Sequence, residues 1–313
     1  MSTPSHAVLP IPPPDLAARI GGTYEQYRVI GAGHREILEE LLPEDWSFVG
    51  KTVLDFGCGT GRTLAAFAEK TGETEFWGCD IHEPSIEWAQ QHLSPPFRFF
   101  ACNETPPLDQ PGVRFDLVYG MSVFTHITSQ WSAWLVELHR VMRPGGVAIV
   151  SVLGPAMAPE IIGRDWDERI GMAVVDLHKH WQVGGPDVLL SEWWVREHWG
   201  RAFDIVRFTA AQAGHDYVVM RRREVTIDVG SLESVTDGDV REQQALAVNL
   251  ELLCDQMAQF GEEKRSEAEA LIAREQALGA ECTRLQESLT TVETSRSWRL
   301  TAPLRKAAAL VRR

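Results

Sequence analysis

The sequence contains no apolar run long enough to cross a membrane. Among its 313 residues, no uninterrupted apolar stretch reaches the roughly 18 residues that a transmembrane helix needs. The first 14 residues have neither a basic segment nor an apolar core, so they do not predict a signal peptide. We therefore expect a cytoplasmic protein without a membrane-spanning segment.

Cysteine is scarce, and the five cysteines that occur are widely spaced. An odd number without close pairs predicts neither a disulfide framework nor a zinc site, and it fits reduced thiols. Carboxylates show no run at metal-ligand spacing either, so we expect no bound metal. The cysteines are Cys58, Cys79, Cys102, Cys254 and Cys282.

Positive charge is in short supply over most of the chain. There are 30 Lys and Arg against 44 Asp and Glu, a net charge of −14. This balance argues against nucleic acid as a partner, because phosphate contacts need a basic surface. The exception is residues 295–313, which carry six basic residues and no acidic one, so that residues 1–294 alone carry −20. Such an asymmetry is typical of a segment with an anionic partner.

Short apolar strands alternate with helical segments from residue 51 onward. This alternation predicts a parallel sheet with helices on both faces. The predicted strands are Thr52–Phe56, Glu75–Cys79, Arg98–Ala101, Phe115–Gly120, Val147–Ser151, Phe203–Thr209 and Asp216–Arg221. The predicted helices are His34–Leu41, Thr63–Lys70, Pro84–His92 and Ser129–Val141.

Changes in this pattern divide the chain into five segments. Residues 152–200 fit the alternation poorly and are rich in aromatic residues, so we interpret them as an insertion on the substrate side of the main domain. The five segments are 1–50, an irregular and helical cap; 51–223, the main domain; 224–239, a polar linker; 240–294, a long helix; and 295–313, a basic amphipathic tail.

The long helix carries a heptad-like pattern. Its apolar residues recur at steps of three and four for about six heptads, with one step of eight between Phe260 and Ala268, and the other positions are strongly charged. One interpretation is an amphipathic helix packed on the main domain. The pattern favours the other interpretation, a coiled coil, and this predicts a homo-oligomer through residues 240–294. The pattern does not determine the number of strands. The repeating residues are Leu246, Leu250, Leu253, Met257, Phe260, Ala268, Leu271, Leu278, Cys282, Leu285, Leu289 and Val292.

A glycine-rich loop carries the chemistry of the main domain. Residues 55–61 read DFGCGTG and lie between a predicted strand and a predicted helix. The glycines allow a tight turn and a close approach to a ligand, and the helix that follows offers unpaired N–H groups. Asp80 lies 23 positions after Gly57, at the end of the next strand, where a carboxylate can accept hydrogen bonds from a ribose. These residues predict an adenosine-containing ligand at the carboxyl edge of the sheet.

Three motifs in order resemble those of class I S-adenosylmethionine-dependent methyltransferases. Residues 53–62 (VLDFGCGTGR) resemble the first motif of that family, whereas NAD-binding loops usually lack the Asp two residues before the first glycine. Residues 115–119 (FDLVY) resemble its fourth strand, and residues 137–146 (ELHRVMRPGG) resemble the helix and turn before its fifth. The resemblance covers residues 50–221 and implies a doubly wound, Rossmann-like sheet of seven strands.

The resemblance also implies S-adenosyl-L-methionine as the cofactor and a set of residues around it. The loop would lie beside the methionine part, Asp80 would hold the ribose and Ile81 would pack on the adenine. Asp80 could instead cap a helix, Asn103 could be a turn residue, and Cys58 is expected to be a small packing residue. The implied cofactor-binding residues are Asp55, Gly57, Cys58, Gly59, Asp80, Ile81, Asn103, Ser122 and Val123.

Methyl transfer to an oxygen benefits from a general base whose pKa is close to neutral, and histidine is the natural choice. The candidates are His126, which follows the predicted fourth strand and could also be structural, and His178 and His180 in the insertion. His82 is expected to cap the adenine end. Five tryptophans of the insertion either stack on a sugar acceptor or pack under the covering helices; they are Trp166, Trp181, Trp193, Trp194 and Trp199.

The tail adds a second resemblance. Residues 295–305 (SRSWRLTAPLR) resemble a segment near the ends of bacterial glycosyltransferases and related enzymes of cell-surface polysaccharide assembly. Residues 122–127 (SVFTHI) resemble the motif that follows the fourth strand in methyltransferases of such pathways. Basic and apolar side chains together suit an anionic membrane surface, although the tail could instead dock on the chain's own acidic domain. The residues concerned are Arg296, Trp298, Arg299, Leu300, Leu304, Arg305, Lys306, Leu310 and Val311.

These features together predict a cytoplasmic methyltransferase in peripheral contact with the inner face of the cell membrane. Its predicted acceptor is a sugar hydroxyl of a cell-surface glycan or of its precursor. The alternatives are an acceptor of another kind, namely a small metabolite, a lipid-linked intermediate or a protein, and a non-catalytic coiled-coil scaffold that binds the cofactor.

Overall fold

A computed structural model describes residues 9–180, 184–212, 214–235, 238–303 and 305, without the side chains of residues 210–212. The chain forms two compact units, Met1–Leu253 and Cys254–Arg313. None of the described helices combines the length and the apolar character that crossing a bilayer requires.

A seven-stranded sheet forms the centre of the first unit, with strand order β3-β2-β1-β4-β5-β9-β8. The first five strands pair in parallel, and β9 runs antiparallel to both β5 and β8. The prediction of a doubly wound seven-stranded sheet is therefore confirmed. The strands are β1 (Thr52–Phe56), β2 (Glu75–Asp80), β3 (Arg98–Ala101), β4 (Phe115–Gly120), β5 (Met142–Val152), β8 (Phe203–Gln212) and β9 (His215–Arg222).

The strand with the largest difference from its predicted bounds is β5. It begins at Met142 rather than at Val147, because Met142 already pairs with Phe115 of β4. The register between the two strands then shifts before Leu117. Pairing with a neighbouring strand, and not the local apolar pattern, thus extends β5 into the Pro-Gly-Gly turn.

The sheet is buried on both faces, which explains why its strands are almost continuously apolar. Successive side chains point to opposite faces, so Val53 and Leu117 pack in one hydrophobic cluster while Leu54 and Val118 pack in the other. Helices Tyr27–Leu41, Arg62–Ala65 and Glu83–Leu93 contribute to the cluster around Val53, and helices Trp131–Val141 and Glu192–His198 contribute to the cluster around Leu54.

The helices agree with the predicted ones in place but not in extent. The helix predicted from His34 begins earlier, and the one predicted over Thr63–Lys70 is a short α-helix followed by a 3-10 turn, Ala68–Lys70. The helices are α1 (Pro14–Arg19), α2 (Tyr27–Leu41), α3 (Arg62–Ala65), α4 (Glu83–Leu93), α5 (Trp131–Val141), α6 (Ala158–Ile161), α7 (Glu192–His198), α8 (Val229–Glu233), α9 (Val240–Thr294) and α10 (Arg296–Leu300).

The predicted insertion, residues 152–200, contains a small antiparallel ribbon of β6 (Met172–Val175) and β7 (Asp187–Leu190). The ribbon is joined to the end of the main sheet by a parallel bridge between Leu153 and Leu189. The segment predicted as a polar linker, 224–239, contains α8, whose Leu232 is buried.

Helix α9 has a different buried face from the predicted one at its start. Ala245, Val248 and Leu252 are buried in the first unit, while Leu246 and Leu250 of the heptad pattern are exposed. From Cys254 onward the helix belongs to the second unit, where the repeating leucines remain exposed. The single chain does not test a coiled coil, which stays a prediction.

The described part of the basic tail forms α10. The Ser295 side chain caps this helix by accepting a hydrogen bond from the Trp298 N–H, and the Arg305 guanidinium lies 3.6 Å from the centroid of the Trp298 ring. The remaining tail residues lie outside the described residues; they are Leu304, Lys306, Leu310, Val311, Arg312 and Arg313.

Candidate functional site

The glycine-rich loop connects β1 to α3 and is tied to the end of β2. The N–H groups of Gly57 and Cys58 both donate to the Cys79 carbonyl, each at 2.9 Å. The Gly59 N–H donates to Asp80 Oδ2 at 2.7 Å. The loop is therefore held against the carboxyl end of the neighbouring strand, where the sequence places the acidic residue.

Two glycines of the loop are required by close approach of other segments. Gly57 has φ of +80°, and a Cβ there would lie 2.3 Å from Val123 Cγ2. Gly59 has φ of +55°, and a Cβ there would lie 2.4 Å from Ile20 Cγ2. Only glycine adopts this backbone conformation at little cost. It allows the segment after β4 and the segment after α1 to close onto the loop.

Asp55, the first residue of the loop motif, is a buried carboxyl. Burial, to which the charge of Asp80 adds, raises its pKa to about 8, against the opposing effects of the Tyr119 hydrogen bond and the charge of Arg62. A buried carboxylate without a cation is costly, so near neutral pH the free protein keeps most of this group protonated. A positively charged ligand group beside Asp55 would favour its ionised form.

Asp80 braces the loop from the other side. Its Oδ1 accepts from the His82 N–H at 2.8 Å, in addition to the bond from Gly59. The N-cap of α4 is His82, so Asp80 does not cap that helix, and the alternative role considered for it is wrong. Each carboxylate oxygen has two lone pairs, which leaves acceptor capacity for ligand hydroxyls.

A cavity of 1510 Å³ lies beside the loop. Pockets for a single small ligand typically have about 300–1,000 Å³, so this one has room for a cofactor and an acceptor together. Most predicted site residues line it; they are Asp55, Gly57, Cys58, Asp80, Ile81, Ser122, Val123, His126 and His180.

Three predicted site residues do not line this cavity. Gly59 contributes its backbone N–H to Asp80 instead. Asn103 lines a smaller cavity of 500 Å³ that shares Ile81 with the large one. His178 lines neither cavity. The structure thus brings His126 and His180 to the site and leaves His178 outside it.

The N-terminal segment forms a wall of the cavity that the sequence did not reveal. Asp15, Leu16 and Arg19 of α1 and the following Ile20 line the cavity. Arg62 at the start of α3 donates from Nη1 to the Gly21 carbonyl at 2.7 Å, which fastens this wall to the loop. No local motif in residues 9–21 indicates this role, since it depends on contact with a loop forty residues later.

The segment after β4 forms the opposite wall. Ser122 has φ of +57°, which is uncommon for a residue other than glycine, and its N–H donates to Ser151 Oγ at 2.7 Å. Its own Oγ lies 3.0 Å from His215 Nε2. His34, which also lines the cavity, is partly buried, and this burial together with the charge of Arg62 lowers its pKa to about 4.

The insertion contributes the third wall, through Lys179, His180 and residues 184–187. The Val188 N–H donates to the Thr125 carbonyl at 2.8 Å, so the start of β7 runs beside the segment after β4. Nδ1 of His126 lies 2.8 Å from the Pro186 carbonyl and 3.9 Å from Asp187 Oδ1. Asp187 and Lys179 were not predicted as site residues.

The described tryptophans of the insertion pack against hydrophobic clusters of the first unit, which agrees with the packing alternative of the two predicted roles. Trp194 and Trp199 are buried in the main core, and Trp193 donates from Nε1 to the Ile170 carbonyl. Trp166 packs in a third cluster with the start of α9. Trp181 lies outside the described residues. Among the described tryptophans, Trp134 of α5 lines the cavity.

Cys58 is buried against the sheet, and burial raises the pKa of its thiol well above the usual value. A protonated, buried thiol is a poor nucleophile, which agrees with the packing role expected for it. Within the described residues, no group of three or more His, Cys, Asp or Glu side chains is placed to hold a metal ion.

The matched part of a known family coincides with this site. Residues 53–146 match the model of a family described as "Methyltransferase domain". That segment contains the glycine-rich loop, Asp80 and His126. The match to residues 53–146 agrees with the three methyltransferase motifs found in the sequence, and it supports S-adenosyl-L-methionine as the cofactor.

The similarity to individual proteins is lower and partial. The chain is 29% identical over 154 residues to the malonyl-[acyl-carrier protein] O-methyltransferase of Serratia marcescens, covering 49% of this chain and 57% of that protein. It is 34% identical over 161 residues to the biotin biosynthesis bifunctional protein BioHC of Cellvibrio japonicus, covering 49% and 30%. A solved structure of an S-adenosylmethionine dependent methyltransferase from Mesorhizobium loti is similar with a TM-score of 0.48 and 20% identity, over 60% of this chain and 96% of that one. The chain thus spans only part of the curated relatives that it matches.

Proposed function

We propose that the chain is an S-adenosylmethionine-dependent methyltransferase that methylates a sugar hydroxyl of a cell-surface glycan or of its precursor. The observation that carries the proposal is the single cavity that joins the glycine-rich loop, Asp55 and Asp80 to His126 and the insertion. One end has the features of a nucleoside site and the other has a candidate base. A methyl donor and a hydroxyl acceptor can therefore meet in one enclosed space.

The residues at the loop fit this cofactor. Bound there, S-adenosylmethionine supplies an electrophilic methyl group on a positively charged sulfonium. Asp55 is a buried carboxyl with a raised pKa, so a nearby cationic group of the ligand would offset the cost of its ionisation. Asp80 has acceptor capacity for the ribose hydroxyls, and Ile81 and Pro84 line the cavity as apolar surface on which an adenine ring can pack.

The sugar acceptor is proposed from the sequence resemblances of residues 122–127 and 295–305. A second candidate is a carboxyl group, as in the relative named malonyl-[acyl-carrier protein] O-methyltransferase. The two differ in chemistry. A carboxylate is already ionised at neutral pH and needs no base, whereas a sugar hydroxyl must give up a proton during the transfer.

The test is transfer of labelled methyl groups by the purified full chain. The acceptors are a panel of methyl glycosides, lipid-linked saccharides and a malonyl thioester, with Asp80→Asn as the matched variant. We expect a labelled methyl ether on a saccharide, and weaker cofactor binding by Asp80→Asn in calorimetry. Label on the malonyl thioester alone would contradict the sugar acceptor, and no cofactor binding would contradict the enzyme itself.

We also propose that residues 240–294 assemble several copies of the chain. In the second unit Leu271, Leu278, Leu285 and Leu289 are exposed along one helix, and a lone helix cannot bury such a stripe. Light scattering on the full chain should give an oligomer. The double variant Leu278→Glu with Leu285→Glu should be a monomer. The control Thr283→Glu with Thr290→Glu adds the same charge away from the apolar stripe and should remain an oligomer. A monomeric wild-type chain would contradict the proposal.

For the tail we propose peripheral contact with an anionic membrane. Arg296 and Arg299 lie on α10 with Trp298 and the exposed Leu300. The full chain should sediment with vesicles that contain anionic lipid and not with neutral ones, and Arg296→Gln with Arg299→Gln should reduce sedimentation. Equal sedimentation of the two proteins would contradict the proposal.

A further inference from the structure

We propose that His126 is the general base of the transfer, and that the Pro186 carbonyl and Asp187 are its positioning partners. The inference rests on the proposed function, which it deepens by choosing among the candidate bases. It also assigns a role to Asp187, a residue of the insertion that no sequence motif indicated.

The first observation is the partner of the ring. Nδ1 of His126 lies 2.8 Å from the Pro186 carbonyl oxygen. A backbone carbonyl can only accept, so Nδ1 must carry the proton that it donates. In the neutral ring, Nε2 then has the free lone pair. The hydrogen bond thus selects the tautomer that can take a proton at Nε2.

The second observation is how the ring is held. The Val188 N–H donates to the Thr125 carbonyl at 2.8 Å. Thr125 directly precedes His126, and Val188 directly follows Asp187. This backbone bond aligns the segment after β4 with the start of β7. His126 is therefore fixed by its own segment and by the insertion at once, and it lines the cavity together with Pro186 and Asp187.

The third observation is the charge beside the ring. Asp187 Oδ1 lies 3.9 Å from His126 Nδ1, which is too long for a hydrogen bond but close enough for a charge to act. The side chains of His126 and Asp187 are 38% and 30% exposed, so water screens the attraction only in part. A carboxylate at this place favours the imidazolium that forms when Nε2 takes a proton.

Other charged groups also face Asp187. Lys179 and Asp176, from the segment after β6, form an ion pair with each other, and Lys179 lines the same cavity. Burial raises the pKa of Asp187 above its usual value and Asp176 adds to this, while the charges of His126 and Lys179 act in the opposite direction. Lys179 therefore helps to keep Asp187 ionised beside His126.

The remaining histidines are less suited to the role. His178 does not line the cavity, and the pKa of His34 is lowered to about 4, which makes it a weak base near neutral pH. His215 lies at hydrogen-bond distance from Ser122 Oγ. His180 also lines the cavity, but it is exposed to solvent.

In the proposed step, the acceptor hydroxyl gives its proton to His126 Nε2 as its oxygen forms the bond to the methyl carbon. The bond between that carbon and the sulfonium sulfur breaks, and its electron pair goes to sulfur. The imidazolium, stabilised by Asp187, then releases the proton to solvent. Charge and protons balance without any further reactant.

The deciding test is NMR of the full chain with labelled histidine, which needs no acceptor. The His126 ring is assigned by its loss in His126→Asn. We expect a neutral ring with the proton on Nδ1, and a lower pKa of His126 in Asp187→Asn because a stabilising negative charge is removed. A proton on Nε2, or a pKa that Asp187→Asn leaves unchanged, would overturn the assignment.

Kinetics with the hydroxyl acceptor found in the labelled-methyl assay give a second readout. His126→Asn keeps a donor for the Pro186 carbonyl but has no base, so kcat should fall by about 10²–10⁴ with unchanged cofactor affinity. Asp187→Asn should move the acid limb of the kcat/KM profile to lower pH, and the matched variant His178→Asn should leave it in place. A full rate in His126→Asn would refute the base. Failure to find any acceptor would refute the proposed function, while the NMR result would still decide the tautomer and the coupling.

Discussion

The two units of the chain contain similar apolar residues in different surroundings. Leu252 and Leu285 lie on the same helix, α9, yet Leu252 is 4% exposed in the first unit and Leu285 is 62% exposed in the second. The residue type and the helix are the same, so the difference lies in what packs against each leucine. The first unit covers Leu252 with its own side chains, whereas Leu285 stays exposed in the second unit.

Polar groups show the same contrast. In the first unit His198 is buried, with Nδ1 at 2.7 Å from the Leu232 carbonyl and Nε2 at 3.0 Å from Glu242 Oε1. In the second unit the Thr283 hydroxyl donates an exposed, local hydrogen bond to the Gly279 carbonyl. Buried, partnered groups contribute to a cooperative core, whereas exposed local bonds stabilise only their own turn.

The largest expected effect is on the buried pair of the first unit. His198→Ala leaves Glu242 buried without its partner, and breaking such a pair costs about 3–5 kcal/mol. Urea unfolding should show this loss. Glu242→Gln in the same background should recover part of it, because the uncompensated charge is removed. A loss below about 1 kcal/mol would mean that this pair is not part of the cooperative core.

The comparison of leucines on α9 is the next test. Leu252→Ala removes a side chain packed with the third cluster, which should cost about 2–5 kcal/mol of unfolding free energy. Leu285→Ala should leave the unfolding of the first unit unchanged and should weaken assembly, measured by light scattering on dilution. Equal effects on unfolding would break the distinction between the two units.

A smaller effect follows from the raised pKa of Asp55. Below about pH 8 the free protein holds a proton on this carboxyl, and a cationic ligand favours the ionised form, so binding releases the proton. Cofactor affinity should therefore rise with pH by at most about tenfold per unit up to pH 8, then level off. Calorimetry in buffers of different ionisation enthalpy measures the released proton. Asp55→Asn should abolish the pH dependence of cofactor affinity. A wild-type affinity that does not change with pH would contradict the prediction.

The smallest expected effect compares two similar helix caps. Ser191 accepts from the Trp194 N–H at the start of α7, and Ser295 accepts from the Trp298 N–H at the start of α10. Loss of such a cap costs about 1 kcal/mol. Ser191→Ala should lower global unfolding free energy, whereas Ser295→Ala should only speed local amide exchange in α10. A global effect of Ser295→Ala would show that the tail belongs to the core.

The strands and the cofactor end of the site were predictable because their signals are local. The strand Phe115–Gly120 was predicted with the bounds that the structure has, since a buried parallel strand is apolar and lies between turns. Asp55, Gly57 and Asp80 belong to one strand–loop–helix–strand unit, whose spacing places them together. The predicted start of β5 was wrong, because pairing of Met142 with Phe115 extends the strand towards its N-terminal end.

The acceptor end was not predictable in this way. Asp187 lies 61 positions after His126, and their contact depends on how the β6–β7 ribbon packs on the end of the sheet. Ile20 approaches Gly59, which lies 39 positions later in the chain. The tryptophans of the insertion suggested sugar stacking as one alternative, but burial of Trp194 and Trp199 in the core gives them a different role.

The sequence by itself determined the sheet, the glycine-rich loop and the uneven charge, because each depends on residues that are close together in the chain. Only the tertiary structure decided which face of α9 is buried, which histidines line the cavity beside the glycine-rich loop and which carboxylate lies near His126. The physical reason is that apolar periodicity along the chain shows which face of a helix or strand needs a packing partner. The identity of that partner depends on how distant segments of the chain pack together.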